Sequence, residues 1–198
     1  MKTNKPRQNT ARPGGTSSNR NKGPSEGSNG NSENTASPLH EVFLEEVADL
    51  HNAEQQLIKA LPQMIEAAQS DELREALEKH LDETKEQVER LEEAMSSIGE
   101  TLKSKKCKGM EGLLAEGKDQ MEEQAGEPSL DAVIIATAQK VEHYEIAAYG
   151  TLAAWAGQMG HEVAMDLFEQ SLDEEKAADE RLTEIAESLA NAAEREGP

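Results

Sequence analysis

Two glutamates, Glu142 and Glu145, lie in the middle of a segment, residues 132–161, that holds no other acid. Acidic residues make up 40 of the 198 residues of the chain, so this segment is strongly depleted in them. Its remaining residues are mostly apolar and leave no wide polar face, which predicts a buried helix. Residues at i and i+3 share one face of a helix. Burying two unpaired carboxylates side by side costs several kcal/mol, and a bound cation would neutralise them most directly.

Three further segments place ionisable residues on otherwise apolar helical stripes. Glu54 occupies a core position in the repeat that begins at Phe43, and Glu175 and Asp179 do so in a later helix. His80 and Glu83 run along one edge of a fourth stripe. Carboxylates and imidazole from four helices are the ligands of dinuclear iron or manganese centres. The predicted metal ligands, for two ions of iron or manganese per chain, are therefore Glu54, His80, Glu83, Glu142, Glu145, Glu175 and Asp179.

Each of these residues also has an interpretation without metal. In so acidic a chain some glutamates fall on helical stripes by chance, and Glu54 could be a buried, hydrogen-bonded group. Glu175 and Asp179 lie among other acids that favour a solvated face. His143 lies about 100° around the helix from Glu142, which favours packing or support of the ligands over direct binding.

Five helical segments can be read from the apolar periodicity and the capping residues. Helices are predicted from residue 38 to 69, from a Ser70 cap to 99, and from a Ser129 cap to 157, with a last helix over 162–194. A short helix is predicted over 110–124, inside the long connection. The predicted fold is an all-α four-helix bundle whose long crossover connection carries a short extra helix.

Composition narrows the possible partners and the compartment. The net charge of −20 and the pI near 4.6 argue against nucleic acid and anionic membranes as partners. No apolar run is long enough for a membrane span. The single cysteine, Cys107, excludes an internal disulfide and is typical of a reducing compartment, so we expect a cytoplasmic protein. Neighbouring lysines are expected to favour its thiolate.

The chain is predicted to divide into a tail and one domain. Residues 1–37 lack apolar periodicity and hold six Lys or Arg against two Glu, which predicts a disordered basic tail. Residues 38–194 are predicted to form the four-helix domain.

At several of these positions the sequence resembles the YciE/YciF family of ferritin-like proteins. The resemblance covers about residues 38–190 and rests on the segments HLDETKEQVERLE, CKGMEGL, AQKVEHYEIAAYGTLAAWAGQMG and LDEEKAADERLTEIA. It implies a ferritin-like bundle that binds metal, often forms a homodimer and takes part in bacterial stress responses. The sequence departs from the wider ferritin-like pattern because it contains no Glu-x-x-His motif, and His80-x-x-Glu83 has the reverse order.

Two functions are compatible with these features. The first is a dinuclear metal protein with oxidase or peroxide-scavenging activity, in which Tyr144 or Tyr149 could act as a redox neighbour or could simply pack in the core. The alternative is a non-enzymatic helical dimer with a structural or vestigial metal site.

Overall fold

The helices of this protein follow the predicted order. The computed structural model describes residues 38–195, so the prediction of a disordered tail over 1–37 lies outside the described residues. The helices are α1 (Pro38–Ala67), α2 (Asp71–Ser97), α3 (Lys108–Glu123), α4 (Leu130–Met159) and α5 (Glu162–Arg195). Residues 38–195 contain no strand. The predictions of an all-α four-helix bundle and of a short helix within the long connection are confirmed.

Four of the helices form the bundle, and α3 covers one side of it. The packed pairs are α1 with α2, α2 with α5, α5 with α4, and α4 with α1, which places α2 and α4 diagonally opposite each other. Helix α3 packs on α4 and α1. Because α4 has neighbours on three sides, most of its circumference is buried, as its apolar composition predicted, and one strip along it stays exposed.

The turn between α1 and α2 is fixed by local caps and by a contact from α4. Ser70 is the N-cap of α2, and its hydroxyl accepts a hydrogen bond from the Leu73 amide at 3.4 Å. The Asp131 carboxylate, in the first turn of α4, accepts from the amides of Gln69 at 2.7 Å and Ser70 at 2.8 Å. These bonds tie one end of the α1–α2 pair to α4, which sets the relative height of the helices that carry the acids.

The cap predicted at Ser129 does not form. Its backbone is already helical, with φ −81° and ψ −6°, and its hydroxyl donates to Gln124 Oε1 at 2.6 Å instead of accepting from α4. The end of α4 follows the usual pattern, because Gly160 adopts a left-handed φ of 75° there. None of the helices between residues 38 and 195 has an apolar run sufficient to cross a membrane.

Candidate metal centre

Four of the predicted site residues converge in the interior of the bundle. His80 of α2, Glu142 and Glu145 of α4, and Glu175 of α5 each contribute one nitrogen or oxygen atom to a group that lies within 4.8 Å. All four side chains are buried. The pair on α4 shares one helical face, as its i, i+3 spacing predicted.

Glu54 extends this cluster toward α1. Its side chain is completely buried, and its carboxyl lies within hydrogen-bonding reach of that of Glu145. The Tyr149 hydroxyl donates to Glu54 Oε1 at 2.6 Å. The site therefore draws on all four helices of the bundle. We call Glu54, His80, Glu142, Glu145 and Glu175 the acidic cluster.

Several buried atoms of the acidic cluster have no hydrogen-bond partner within the described part of the chain. They are Glu54 Oε2, His80 Nε2, Glu142 Oε2, Glu145 Oε1, Glu145 Oε2 and Glu175 Oε2. A buried polar atom without a partner costs about 1–3 kcal/mol, and more when it is charged. Protons shared among the carboxyls or a bound cation would satisfy these unpaired atoms most directly.

Burial and mutual repulsion raise the pKa of every carboxyl in the cluster. For Glu54, Glu142 and Glu145, loss of solvation is the largest cause, followed by the charge of a neighbouring glutamate, and each pKa lies well above its ordinary value. Burial raises the pKa of Glu175 to about 7, although hydrogen bonds from Glu142 and Gln87 oppose that shift. Without a cation the cluster therefore retains protons near neutral pH.

His80 is neutral in this environment. Burial, aided by the charge of Lys79, lowers the pKa of the imidazole to about 4. Its Nε2 lies 3.3 Å from Glu142 Oε1 without the geometry of a hydrogen bond. Because the imidazole is neutral, this contact is not an ion pair at neutral pH. A neutral imidazole nitrogen is the form that binds metal ions.

One cation, Arg90, borders the acidic cluster, and the sequence analysis did not identify it. Its guanidinium is nearly buried, donates to both oxygens of Glu174 at 2.7 and 2.8 Å, and donates to Ser171 Oγ at 2.8 Å. Gln87, one turn earlier, donates to the Glu175 carboxylate. The signal was present in the sequence, because Arg90 continues the three- and four-residue steps of His80, Glu83 and Gln87.

The structure does not bring Glu83 and Asp179 into the four-residue group. Glu83 is paired with Lys79, and its side chain is 19 % exposed. Asp179 accepts from Gln139 Nε2 at 3.4 Å, and its side chain is 22 % exposed. Both lie near enough to raise the pKa of a cluster member, since Glu83 acts on Glu175 and Asp179 on Glu142. Their role as direct ligands stays a prediction.

His143 faces solvent rather than the core. Its side chain is 69 % exposed, and Nε2 lies 3.7 Å from Asp179 Oδ1. The packing role, one of the two expected alternatives, was wrong, because α4 is buried around most but not all of its circumference and His143 lies on its exposed strip. Support of a ligand, the other alternative, stays a prediction.

A cavity of about 480 Å³ between α2 and α5 reaches the acidic cluster. His80 and Glu142, whose unpaired atoms were described above, both line it. The other lining residues are Glu72, Glu75, Ala76, Leu77, Lys79, Glu83, Ala177, Ala178, Arg181 and Leu182.

Cys107 has an environment opposite to the expected one. The side chain is fully buried at the start of α3, where Sγ accepts from the Met110 amide at 3.3 Å and lies 3.0 Å from the Tyr144 hydroxyl. Burial raises the pKa of the thiol. The expectation of a thiolate favoured by lysines was wrong because the side chain turns into the core, away from them. Tyr144 in turn donates to Asp49 Oδ2 at 2.9 Å.

Comparisons with known proteins give a family model that matches the helical region and a relative that matches most of the chain. A family model described as a domain of unknown function, DUF892, matches residues 38–194. The chain is 42 % identical to Protein YciF of Escherichia coli (strain K12) over 149 residues, which are 75 % of this chain and 90 % of that protein.

Solved structures of other proteins also match this chain. The crystal structure of the E. coli stress protein YciF is 40 % identical, with a TM-score of 0.76, and the match covers 79 % of this chain and 99 % of that one. YcfI from Rhodopseudomonas palustris, for which a structural role has been suggested, is 40 % identical with a TM-score of 0.72, and the match covers 76 % of this chain and 96 % of that one. A protein from Xanthomonas campestris pv. campestris is 20 % identical with a TM-score of 0.63 over 81 % and 99 %, which shows the fold alone. The chain therefore belongs to the DUF892 family, the family of YciF that its sequence motifs indicated.

Proposed function

We propose that this protein is a ferritin-like metal-binding protein of the stress response, with a carboxylate-rich dinuclear iron or manganese centre in the acidic cluster. The observation that carries the proposal is the set of unpaired buried atoms on four glutamates and one histidine. Protons can neutralise the carboxyls, whereas a divalent cation would neutralise them and also take the unpaired His80 nitrogen as a ligand. A divalent cation accounts for both kinds of donor.

The donor set fits the chemistry of these ions. Hard carboxylate oxygens with a single imidazole favour divalent metals such as iron and manganese over soft ones. The four glutamates of the acidic cluster would supply the carboxylate ligands, while Gln87 and Tyr149 orient Glu175 and Glu54 by hydrogen bonds. Bound iron or manganese would supply redox chemistry toward oxygen or peroxide. The Tyr149 hydroxyl contacts the acidic cluster directly, because it donates a hydrogen bond to Glu54.

Metal titration of the full chain tests the proposal. Protein stripped with chelator is titrated anaerobically with Mn²⁺ or Fe²⁺, and bound metal is counted after gel filtration. We expect about two ions per chain in the wild type and a loss of binding in Glu142→Gln. Glu75→Gln, which changes an exposed acid at the rim of the cavity, is the matched control and should retain most of the binding. Fewer than about one ion per chain in the wild type would refute the metal centre.

Activity is tested separately on the loaded protein. Oxidase or peroxide-scavenging activity requires oxygen- or peroxide-dependent turnover above that of the free metal, and this turnover should disappear in Glu142→Gln. Loaded protein without such turnover, together with metal-dependent stability, would favour the second candidate, a non-enzymatic dimer with a structural or vestigial site. The absence of Glu-x-x-His motifs, which makes the centre poorer in histidine, favours that candidate.

Fewer observations support the assembly and the location that we propose. A homodimer is implied by the resemblance alone, and light scattering after gel filtration would test it. A cytoplasmic location is supported by the free thiol of Cys107. The acidic surface supports a function without nucleic acid.

A further inference from the structure

A second cavity, of about 310 Å³, lies where α3 packs on α1 and α4. Its volume is at the lower end of the ~300–1,000 Å³ that small-molecule sites occupy. Neither an acid nor any member of the acidic cluster lines it. Whatever this cavity binds is therefore separate from the proposed metal centre.

The charge of this cavity is opposite to that of the chain. The chain holds 40 acids against 20 lysines and arginines, yet the charged residues that line the cavity are Lys59 and Lys118. Lys59 makes no ion pair within residues 38–195, and Lys118 lies 3.7 Å from Glu122 in a pair whose side chains are 61 % and 67 % exposed. Because so exposed a pair contributes little, both ammonium groups are available to an anion.

The walls of the cavity are apolar, which favours an organic anion. Met64 of α1 lies on one side, and Leu114 and Met121 of α3 lie on the other. Methionine side chains are flexible and adapt to the shape of a ligand. An apolar body between these walls would be removed from water, and an inorganic anion has no such body.

Thr137 of α4 lies at the inner end of the cavity, because it is buried whereas both lysines are exposed. Its side chain is 2 % exposed, and Oγ1 has no hydrogen-bond partner within the described part of the chain. Threonine in a helix divides between two χ1 rotamers, so rotation about one bond can turn this hydroxyl toward a ligand. A ligand hydroxyl both donates and accepts, and it would give Thr137 the partner that it lacks.

We propose that this cavity binds a small organic carboxylate with an apolar body and a hydroxyl at its far end. The carboxylate lies between the ammonium groups of Lys59 and Lys118, the body lies between the apolar walls, and the hydroxyl pairs with Thr137. The site uses no atom of the acidic cluster, so it does not depend on the proposed function.

Four probes test the chemical class of the ligand on the full chain, stripped of metal with chelator and then freed of chelator by gel filtration. The probes are para-hydroxybenzoate, benzoate without the hydroxyl, para-hydroxybenzamide without the charge, and inorganic phosphate without the apolar body. Isotope-labelled methionine methyl groups report binding by NMR. We expect para-hydroxybenzoate to bind with a Kd of about 1 mM, as suits a small fragment, and to shift Met64 and Met121 but not Met95 of α2.

The other three probes should bind less tightly, each for its own reason. Loss of the ligand hydroxyl should weaken binding about fivefold, as is usual for one hydrogen bond. Loss of the charge should weaken it at least about fivefold. Phosphate should be weaker by at least about tenfold, since it buries no apolar surface. The net charge of −20 repels anions, so a preference for the carboxylate over the amide has to come from the lysines at the cavity.

Three variants locate the two ends of the ligand. Lys59→Gln should weaken both carboxylates about fivefold and leave the amide within about twofold. Its matched control is Lys103→Gln, another exposed lysine, which lines a different cavity of about 280 Å³ and should leave every Kd within about twofold. Thr137→Val keeps the shape of the side chain and should abolish the advantage of para-hydroxybenzoate over benzoate. It removes a hydroxyl without a partner, so the fold should tolerate it.

Several outcomes would overturn the inference. They are an amide or phosphate that binds as tightly as para-hydroxybenzoate, equal effects of Lys59→Gln and Lys103→Gln, a hydroxyl advantage that survives Thr137→Val, or no shift of Met64 and Met121 up to about 10 mM probe. If Thr137→Val does not fold, equal binding of para-hydroxybenzoate and benzoate to the wild type rejects the contact with Thr137. None of these measurements involves metal, so their failure leaves the proposed function untouched.

Discussion

Replacing Glu175 by glutamine should stabilise the metal-free protein while weakening its response to metal. The carboxamide keeps the shape of the side chain, and its oxygen can still accept from Gln87 as the carboxylate does. Its NH2 group can donate to the neighbouring Glu142 carboxyl, which lies within hydrogen-bonding reach of Glu175. The variant therefore removes a charge and leaves the contacts in place.

The expected size of the effect follows from the pKa of Glu175. Burial raises this pKa from 4.5 to about 7 in the folded chain. A group with a raised folded pKa contributes stability that is fully present below the unfolded pKa and is lost as the pH rises through the folded one. At about 1.4 kcal/mol per unit, ionisation of Glu175 costs the metal-free wild type on the order of 3 kcal/mol at pH 8. Glutamine does not ionise, so the variant escapes this cost.

Urea denaturation in chelator, followed by circular dichroism, measures the difference. The free energies of unfolding of wild type and Glu175→Gln should agree near pH 4.5, and the variant should be more stable by about 3 kcal/mol at pH 8. This corresponds to a Tm higher by roughly 6–12 °C for a chain of this size. With Mn²⁺ at a hundred times its Kd, wild type should gain about 2.7 kcal/mol for each ion bound, and the variant much less.

The exposed Glu180 on the same helix provides the control. Glu180→Gln also removes one negative charge, but from the surface, and should change stability by less than about 0.5 kcal/mol at either pH. If Glu175→Gln is no more stable than wild type at pH 8 in chelator, Glu175 is not a buried charge. If metal stabilises both proteins equally, Glu175 is not a ligand.

Three other predictions follow from the same contacts. The metal-free wild type should lose stability as the pH rises from about 4.5 through 7, whereas the metal-loaded protein should not, since cations replace the protons; thermal denaturation over this range checks it. Tyr149→Phe removes the hydrogen bond to Glu54 and should destabilise the metal-free protein by about 1–3 kcal/mol, measured with urea, and an unchanged midpoint would contradict this. Gly117→Ala should destabilise by about 1–3 kcal/mol in the same assay, because the added Cβ would lie 2.2 Å from Thr137 Cγ2 where α3 packs on α4, and Gly112→Ala, with open space around its Cβ position, should not.

The sequence alone determined the helices and the most informative pair of acids. Apolar periodicity depends only on local spacing, so it located α1 to α5 to within a few residues. Glu142 and Glu145 could be identified because one helix holds both and their neighbours are apolar. The predicted Ser129 cap was wrong because the hydroxyl donates to Gln124 instead of accepting from an α4 amide, and the sequence does not rank these two contacts.

Tertiary structure decided which of the other acids join that pair. Glu175 and Asp179 occupy equivalent places in the apolar repeat, yet the first is completely buried in the cluster and the second lies at its solvent edge. Helical spacing fixes a residue's angle around its own axis but not the height and tilt of the next helix, and those depend on packing among all four. The pairing of Arg90 with Glu174 and the cavity at His80 also depend on how the helices pack against one another. One chain segment specifies which side chains share a face, and only the assembled bundle specifies which faces meet.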